Sequence, residues 1–442
     1  MLKFDYIKIP LKFLQPAGTS RGVLHEKDSW FVRVTDPDNP ELSGIGECSL
    51  IPGLSPDSIS SFEQQLKAVC DTVENIVPGQ KSAPGKVNHQ EKSWTSSEKG
   101  RTLIDNDHAT SEKDRTSLDK DRTPPEKYQQ PPARSKPSDA DRHRLNPKHS
   151  AHGKDSSWIL KGSSLTAEEL IGIDLSDYPA IRFGLETALR DLQQGGKRLL
   201  YPSDFTSGTT GIPINGLIWM SHKQEMLSRI AEKLDQGFKV LKMKVGALSF
   251  DDELEILRAV REEHPPSRLE LRLDANGAWQ PNEALDKLKV LSKFGIHSVE
   301  QPIAAGAPEA MARICINSPV PIALDEELIG VQAPEQKEQL LAAIKPHFII
   351  LKPSLLGGFA ASEEWIGLAE KQGTGWWITS ALESNIGLNA IAQWTTTLNT
   401  SLPQGLGTGS LFANNVPSPL TVTGSRLFYR PEKSWNLLSL KF

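Results

Sequence analysis

Residues 238–245 read FKVLKMKV and residues 269–276 read LELRLDAN, two short apolar strands that carry charged side chains at their ends. Three later stretches have the same form: HSVEQPI at 297–303, PIALDEE at 321–327 and HFIILKP at 347–353. Amphipathic helical segments, such as 223–236 and 251–264, separate such strands. This alternation of strand and helix is typical of parallel βαβ units.

Further strands extend the series in both directions. INGLIW at 214–219 precedes it, and GWWITSALE at 375–383 and a weaker QGLGTGSLF at 404–412 follow it. Seven or eight units in succession favour a closed barrel over an open sheet. In such a barrel, the side chains at the carboxyl ends of the strands meet at one end.

The charged residues at these strand ends recur at nearly constant spacing. Asp274, Glu300, Asp325 and Lys352 are separated by 26, 25 and 27 residues. A single Asp at a strand end more often caps the next helix than binds a metal. Because each step equals one barrel unit, we instead expect the four side chains to converge. Three carboxylates brought together, without Cys or His, favour Mg²⁺, with Mn²⁺ as the alternative ion.

Lys242 and Lys244 are two residues apart and therefore share one face of their strand. A Lys-x-Lys pair usually marks a solvated strand face. Here the neighbouring residues are apolar, and two inward lysines would be costly without a function. A buried lysine beside a second ammonium group and a metal ion has a lowered pKa and is a suitable base. The pattern thus predicts removal of a proton next to a metal-bound carboxylate.

Composition excludes several classes of function. The chain has 442 residues, a net charge of −5 and three cysteines without metal-ligand spacing. We therefore expect neither nucleic acid nor membrane as a partner, no disulfide framework, and a cytoplasmic location. No membrane span or signal peptide is predicted. The expected partner is a small carboxylate substrate, and the sequence does not predict the oligomeric state.

A polar segment interrupts the first part of the chain. Residues 79–160 are rich in charged residues and proline and poor in apolar ones. Such a composition cannot bury enough apolar surface to offset the entropy of ordering, which predicts a disordered insertion. A basic docking segment is the alternative interpretation.

Taken together, these stretches resemble the enolase superfamily, within it the muconate-lactonizing subgroup, and most closely its o-succinylbenzoate synthase family. GIGECSLIPGLSPDS and IRFGLETALRDL resemble the motifs of the capping domain of that superfamily, and LKMKVG, LRLDANGAW, ALDEEL and ILKPSLLGG those of its barrel. The resemblance implies a modified (β/α)7β TIM-like barrel with an α+β capping domain. The implied boundaries are capping domain 1–78, insertion 79–160, capping helices and crossover 161–205, barrel 206–395 and C-terminal part 396–442.

The resemblance also implies roles for individual residues. Lys244 would be the base, and also the acid that helps hydroxide to leave, in the dehydration of a hydroxycyclohexadiene carboxylate. Lys242 would tune Lys244 by its charge, and Lys352 would stabilise the intermediate from the opposite side. The implied Mg²⁺ ligands are Asp274, Glu300 and Asp325, although Glu327 shares a strand face with Asp325. The implied substrate-binding residues are Arg272, Asn276, Thr379, Ser380 and Ser384.

Two further expectations concern specificity. The segment 14–27, which contains QPAGTSRG, is interpreted as a mobile loop over the substrate, or as an ordinary hairpin loop.

The alternative functions are N-acylamino-acid racemase, dipeptide epimerase and muconate cycloisomerase. SALES at 380–384 lacks the Asp-x-Asp that would hold an α-ammonium group in a dipeptide epimerase. A non-catalytic barrel is disfavoured by the complete set of lysines and carboxylates.

Overall fold

The computed structural model describes residues 2–19, 22–74 and 173–442. The predicted disordered insertion, 79–160, lies outside the described residues, as do residues 161–172 of the following segment. None of the helices in the described part of the chain is both long and apolar enough to cross a membrane.

The N-terminal part forms an antiparallel sheet of three strands in the order β1 (Lys3–Thr19), β2 (Gly22–Asp36) and β3 (Asn39–Ser49). The segment 14–27 is thus part of a two-stranded hairpin and not a long loop, since Ala17 pairs with Leu24 and pairing continues to Thr19 and Gly22 at the tip. That this hairpin moves over the substrate stays a prediction. One irregularity in register lies between Lys12 and Ala17. Sequence reasoning weighted the Gly and Ser content of this segment above its capacity for cross-strand pairing.

Two helices pack on this sheet, α1 (Phe62–Glu74) and α2 (Pro179–Gln193). Their apolar faces share a core with the sheet that contains Trp30, Phe62 and Leu185. Helix α2 lies very close to β3, since a Cβ added at Gly46 would be 1.9 Å from the carbonyl oxygen of Gly184. Any larger residue at position 46 would force this helix away from the sheet.

The N-terminus of α2 is capped by a residue from elsewhere in the chain. Tyr178 at the cap position makes no capping hydrogen bond with its side chain. The backbone N–H of Ala180 instead donates to Asp57 Oδ2 at 3.2 Å, and this carboxylate is buried. Burial raises the pKa of Asp57 to about 7, despite the opposing effect of backbone donors such as Ala180. Part of the stability of the fold is therefore pH-dependent.

Replacement of Asp57 by asparagine should remove this dependence and keep an oxygen acceptor for the helix. Because its pKa is higher in the folded than in the unfolded protein, wild-type Asp57 contributes stability at low pH that is lost as the pH rises towards 7. We expect the free energy of unfolding of D57N, relative to wild type, to rise by about 2–3 kcal/mol between about pH 5 and pH 8. Urea unfolding at several pH values measures this difference, and a pH-independent difference would contradict the prediction.

A parallel seven-stranded sheet forms the barrel, as predicted. Its strands follow chain order from β5 to β11, and each pairs with the next. The bounds are β5 (Gly216–Ile218), β6 (Val240–Lys244), β7 (Glu270–Asp274), β8 (Ser298–Glu300), β9 (Ile322–Leu324), β10 (Phe348–Leu351) and β11 (Gly375–Ile378). All of them are short, and each of their residues except Leu217 and Glu270 is buried, as expected for strands that are covered on both faces.

Helices follow the strands and cover the outside of the sheet. They are α3 (Lys223–Asp235), α4 (Phe250–Glu263), α5 (Ala284–Leu291), α6 (Pro308–Asn317), α7 (Pro334–Ile344), α8 (Pro353–Leu356), α9 (Gly358–Lys371) and α10 (Asn385–Thr395). Short 3₁₀ helices lie at Ser292–Phe294 and Glu326–Leu328. The helices and strands share one extended apolar core.

The gap between β11 and β5 is closed by the segment that was predicted as a weak strand. Gly405 bridges to Thr379 after β11, and Gln404 bridges to Ile214 before β5, both in parallel orientation. Only these isolated bridges form there. The C-terminal part of the chain adds a small antiparallel sheet of β12 (Leu420–Thr423), β13 (Arg426–Tyr429) and β4 (Ile212–Pro213).

Candidate active site

Three carboxylates lie together at the carboxyl end of the barrel. Asp274 and Glu300 are direct partners in the register of β7 and β8. Glu300 pairs with Ala323, so that Asp325 lies two residues further along the next strand. All three side chains are buried. The near-constant spacing in sequence therefore corresponds to neighbouring positions on adjacent strands.

Two lysines from β6 contact these carboxylates. Lys242 Nζ lies 2.6 Å from Glu300 Oε1 and 2.8 Å from Asp274 Oδ2. Lys244 Nζ lies 2.5 Å from Asp274 Oδ2 and donates to Asn276 Oδ1 at 2.8 Å. Lys352, which follows β10 across the barrel, forms an ion pair with Asp325. The structure thus brings together all six charged residues that the strand ends predicted.

The two lysines of β6 differ electrostatically. Burial lowers the pKa of Lys242, but attraction by Asp274, Glu300 and Asp325 outweighs it and raises the pKa overall. For Lys244, burial and the repulsion from Lys242 outweigh Asp274, and the pKa is lowered. A raised pKa keeps Lys242 positively charged, and a lowered pKa suits Lys244 as a base.

The carboxylates also differ from one another. Burial and the neighbouring Asp274 raise the pKa of Glu300 well above its usual value. For Asp274, attraction by Lys242 and Lys244 outweighs burial and holds the pKa well below its usual value. A cluster of like charges in a buried site needs cations between its members, and in this structure the three lysines fill that role.

Gln301 fixes the segment that carries Asp325 and Glu327. Its side-chain oxygen accepts hydrogen bonds from the backbone N–H groups of Asp325 and Glu327, and its Nε2 donates to Glu327 Oε2 at 3.0 Å. The other oxygen of Glu327 accepts from the backbone of Gly306 at 3.0 Å. Glu327 is therefore directed away from the cluster, whereas Asp325 faces Lys352. The sequence analysis assigned no role to Gln301.

A cavity of about 240 Å³ adjoins the lysines. Its wall includes Lys242, Lys244 and Lys352, together with two predicted substrate-binding residues, Thr379 and Ser380. The hairpin of β1 and β2 contributes further wall residues: Ala17, Gly22, Val23 and Leu24. Sequence reasoning missed Trp219 in this wall, although its position at the end of INGLIW was a usable signal.

The other predicted substrate-binding residues have different surroundings. Asn276 contacts Lys244 and donates from Nδ2 to Glu326 Oε1 at 2.9 Å. Ser384 caps α10 by accepting from the N–H of Ile386, and its Oγ donates to Glu47 Oε2 at 2.5 Å. Ser384 caps the helix and does not belong to the cavity wall, and its contact with the substrate stays a prediction.

Arg272 also lies apart from the cavity wall. Its Nε donates to Glu270 Oε1 at 2.9 Å and its Nη1 to the carbonyl oxygen of Pro403 at 2.9 Å. The guanidinium group lies 4.4 Å from the ring centre of Trp377. Because Arg272 precedes Asp274 by two residues on an inward-facing strand, its side chain lies deeper in the barrel. The prediction that Arg272 orients the substrate is not supported by this placement.

Replacement of Arg272 by methionine is therefore expected to affect stability more than substrate binding. Loss of the hydrogen bonds to Glu270 and Pro403 should lower the free energy of unfolding by about 2 kcal/mol. We expect KM to stay within about twofold of wild type. Urea unfolding and steady-state kinetics on the same preparation test both statements, and a raised KM with unchanged stability would contradict them.

The three carboxylates have the chemistry of a magnesium site. All three are buried, and the ammonium group of Lys242 lies within 2.8 Å of Asp274 and of Glu300. Within residues 2–19, 22–74 and 173–442, no three acidic, His or Cys side chains are arranged around one ion position, and each of the three carboxylates is paired with a lysine. A hard divalent cation prefers such oxygen donors. Asp274, Glu300 and Asp325 therefore fit Mg²⁺ by donor type, by burial and by their place at the ends of adjacent strands.

Comparison with known proteins gives the same family. The family model "Enolase C-terminal domain-like" matches residues 225–428. The chain is 41% identical over 426 residues to o-succinylbenzoate synthase of Desulfotalea psychrophila, covering 96% of this chain and 98% of that protein. It is 27% identical over 202 residues to the L-Ala-D/L-Glu epimerase of Bacillus subtilis, covering 45% of this chain and 51% of that protein.

A solved structure agrees with the sequence match. The crystal structure of MenC from Desulfotalea psychrophila superposes with a TM-score of 0.71 at 37% identity, covering 97% of this chain and 99% of that one. The similarity extends over the capping sheet as well as the barrel. This chain belongs to the o-succinylbenzoate synthase family of the enolase superfamily.

Proposed function

We propose that the chain catalyses the magnesium-dependent dehydration of 2-succinyl-6-hydroxy-2,4-cyclohexadiene-1-carboxylate to 2-succinylbenzoate in menaquinone biosynthesis. The observation that carries the proposal is the arrangement of lysines on two sides of one cavity. Lys242 and Lys244 extend from β6, and Lys352 follows β10, four strands further around the sheet. The 41% identity to a synthase over nearly the whole chain supports the choice of reaction.

In this proposal Lys244 moves the proton. Its Nζ removes the proton from the ring carbon that bears the carboxylate, and the C–O bond to the neighbouring hydroxyl then breaks. The same ammonium group returns the proton to the departing hydroxide, which leaves as water. Lys244 ends in its starting protonation state, and the ring becomes aromatic. A single residue suffices because both steps take place on one face of the ring.

The remaining residues hold and stabilise the reacting groups. Asp274, Glu300 and Asp325 would hold Mg²⁺, which, when bound, would coordinate the substrate carboxylate and stabilise the enediolate charge. Lys242 keeps a cation beside Asp274 when Lys244 leaves that carboxylate to act as base. Lys352 places a second positive charge on the opposite side of the cavity, where it stabilises the intermediate.

Racemisation of N-acylamino acids is the second candidate function. The observation that favours it is again Lys352, because a racemase needs a proton carrier on each face of the substrate. The epimerase match supports it less strongly, since this relative aligns with only 45% of the chain. The two reactions share a site and differ in which lysine must exchange a proton.

An ultraviolet assay separates the two candidates. Wild-type protein is incubated with the cyclohexadiene carboxylate in the presence of Mg²⁺ or EDTA, and separately with N-succinyl amino acids under polarimetry. We expect Mg²⁺-dependent aromatisation that exceeds racemisation in kcat/KM. Racemisation without aromatisation would replace the proposed function by the second one.

A further inference from the structure

A lysine that the proposed reaction does not use lies buried between the capping sheet and the barrel. Lys27 is on β2, five residues from Gly22 at the tip of the hairpin that lines the cavity, and only 3% of it is exposed. Its ammonium group donates to Ser49 Oγ at 2.5 Å, to Ser29 Oγ at 3.2 Å and to the carbonyl oxygen of Leu50 at 3.5 Å. Its three N–H donors thus have partners within the capping sheet.

Two hydroxyl groups extend these contacts into the barrel. Ser49 Oγ, which accepts from Lys27, donates to the carbonyl oxygen of Ala381 at 3.5 Å. Ser29 Oγ, which also accepts from Lys27, donates to Glu47 Oε1 at 2.9 Å. Each serine is fully buried and has both a donor and an acceptor as partners. The ammonium group is therefore the common origin of two hydrogen-bonded connections.

Glu47 completes one of these connections at the start of α10. Its carboxylate accepts from the backbone N–H groups of Ser384 at 2.9 Å and Gly387 at 3.0 Å, in addition to the Ser384 hydroxyl. A Cβ at Gly387 would lie 3.0 Å from Glu47 Oε2 and 2.8 Å from the side chain of Glu383, which shows how closely the parts approach. The capping sheet thus holds the segment that follows β11.

Glu383 connects the same buried region to the segment that follows Lys352. Its carboxylate accepts from the backbone N–H of Ala381 at 2.8 Å and from the hydroxyl of Ser354. Ser354 is two residues beyond Lys352. Glu47 and Glu383 are both fully buried. Burial lowers the pKa of Lys27, and the negative charges of Glu47 and Glu383 oppose that shift, so both carboxylates lie close to this side chain. Buried carboxylates without a nearby cation are strongly disfavoured.

These contacts join three walls of the catalytic cavity: the hairpin, the segment Thr379–Leu382 and the segment that begins at Lys352. We propose that Lys27 is a positioning residue that fixes the hairpin against the Thr379–Leu382 wall and so sets the width of the cavity. The inference rests on the proposed function for its kinetic consequence, but its structural consequence is independent of it. Lys27 itself is not part of the cavity wall, so it acts through other residues.

Kinetics of a charge-removing variant test this role. Lys27→Met keeps the length of the side chain and removes the ammonium group. We expect KM for the cyclohexadiene carboxylate to rise about tenfold or more, with a smaller change in kcat, because the walls that hold the substrate lose their common anchor. The matched control is Lys337→Met, since Lys337 is equally buried but pairs with Glu364 on the outer helices. The control should lose stability without a change in KM.

A second variant covers the case in which Lys27→Met fails to fold. Ser49→Ala removes the hydroxyl group that accepts from Lys27 and donates to Ala381, and it leaves the connection through Ser29 in place. We therefore expect it to raise KM in the same direction by a smaller factor. If Lys27→Met folds, the double variant should show less than the product of the two single effects, because both changes interrupt one connection. Fully multiplicative effects, or an unchanged KM in either single variant, would overturn the proposal.

Hydrogen exchange provides a readout that needs no substrate. In Lys27→Met, or in Ser49→Ala, amides of residues 9–18 and 379–384 should exchange faster than in wild type, whereas Lys337→Met should leave them unchanged. Absence of turnover in wild type would refute the proposed function and still leave this comparison decisive. Unchanged exchange at both segments would refute the role of Lys27 even if wild type is an active synthase.

Discussion

Replacement of Lys244 by alanine is expected to lower kcat by about 10⁴-fold under saturating substrate and Mg²⁺. Lys244 Nζ is placed between Asp274 and Asn276 at the cavity wall, and in the proposed reaction it both removes and returns the proton. Lys242 cannot replace it readily, because it lies two residues deeper on the strand and is held by Asp274 and Glu300. The ultraviolet assay for aromatisation measures the loss directly.

The control for this variant is a measurement of its melting temperature with and without Mg²⁺. Since Lys244 is not among the proposed ligands, Mg²⁺ should raise the melting temperature of the alanine variant at least as much as that of wild type. This result would show that the carboxylate site is intact and that the loss concerns proton transfer. Turnover within about tenfold of wild type would contradict the role of Lys244 as base.

Replacement of Asp325 by asparagine is expected to lower the affinity for Mg²⁺ about 100-fold or more and to abolish turnover at millimolar Mg²⁺. Asp325 is the carboxylate that faces Lys352 at the end of β9, next to the Asp274 and Glu300 pair. Asparagine keeps the size of the side chain and removes its negative charge. Titration with Mg²⁺, followed by the shift in melting temperature, gives the affinity.

Glu327 provides the matched control, because it lies in the 3₁₀ helix directly after Asp325 and was the alternative ligand on sequence grounds. Its oxygens are bound by Gln301 Nε2 and the backbone N–H of Gly306. Glu327→Gln should therefore lower the free energy of unfolding by about 1–2 kcal/mol and leave the affinity for Mg²⁺ unchanged. If Glu327→Gln loses the metal response and Asp325→Asn retains it, the choice of third ligand is wrong.

The position of the charged cluster was predictable because strand geometry is regular. A period of two places Lys242 and Lys244 on one face, and parallel pairing puts Asp274 beside Glu300. One barrel unit of about 25 residues then brings the next strand end alongside. The family, the barrel and the enzyme class predicted from these motifs are confirmed by the relatives and by the structure.

Depth within the barrel was not predictable from the same regularity. Arg272 shares the inward face with Asp274, as expected, yet its partners are Glu270 and the carbonyl oxygen of Pro403. Alternation along a strand specifies the face and leaves open how far a long side chain reaches toward either end. Partners from segments distant in sequence, here Pro403, decide that direction.

Local structure competes with two other predictions. Ser384 was selected because it lies near the end of β11, but a serine directly before a helix also has a strong preference for the cap position, and it takes that position here. Segment 14–27 was interpreted as a loop from its Gly and Ser content, whereas residues 17–19 and 22–24 pair across the tip of the hairpin.

The most direct test of the proposed site is a crystal structure of the protein with Mg²⁺ and 2-succinylbenzoate. The ion should be bound by Asp274, Glu300 and Asp325 and by the ring carboxylate of the product. Lys244 Nζ should lie about 3.5 Å from the ring carbon that bears this carboxylate, with Lys352 on the opposite face of the ring. An ion bound elsewhere, or a product ring out of reach of Lys244, would contradict the proposed mechanism.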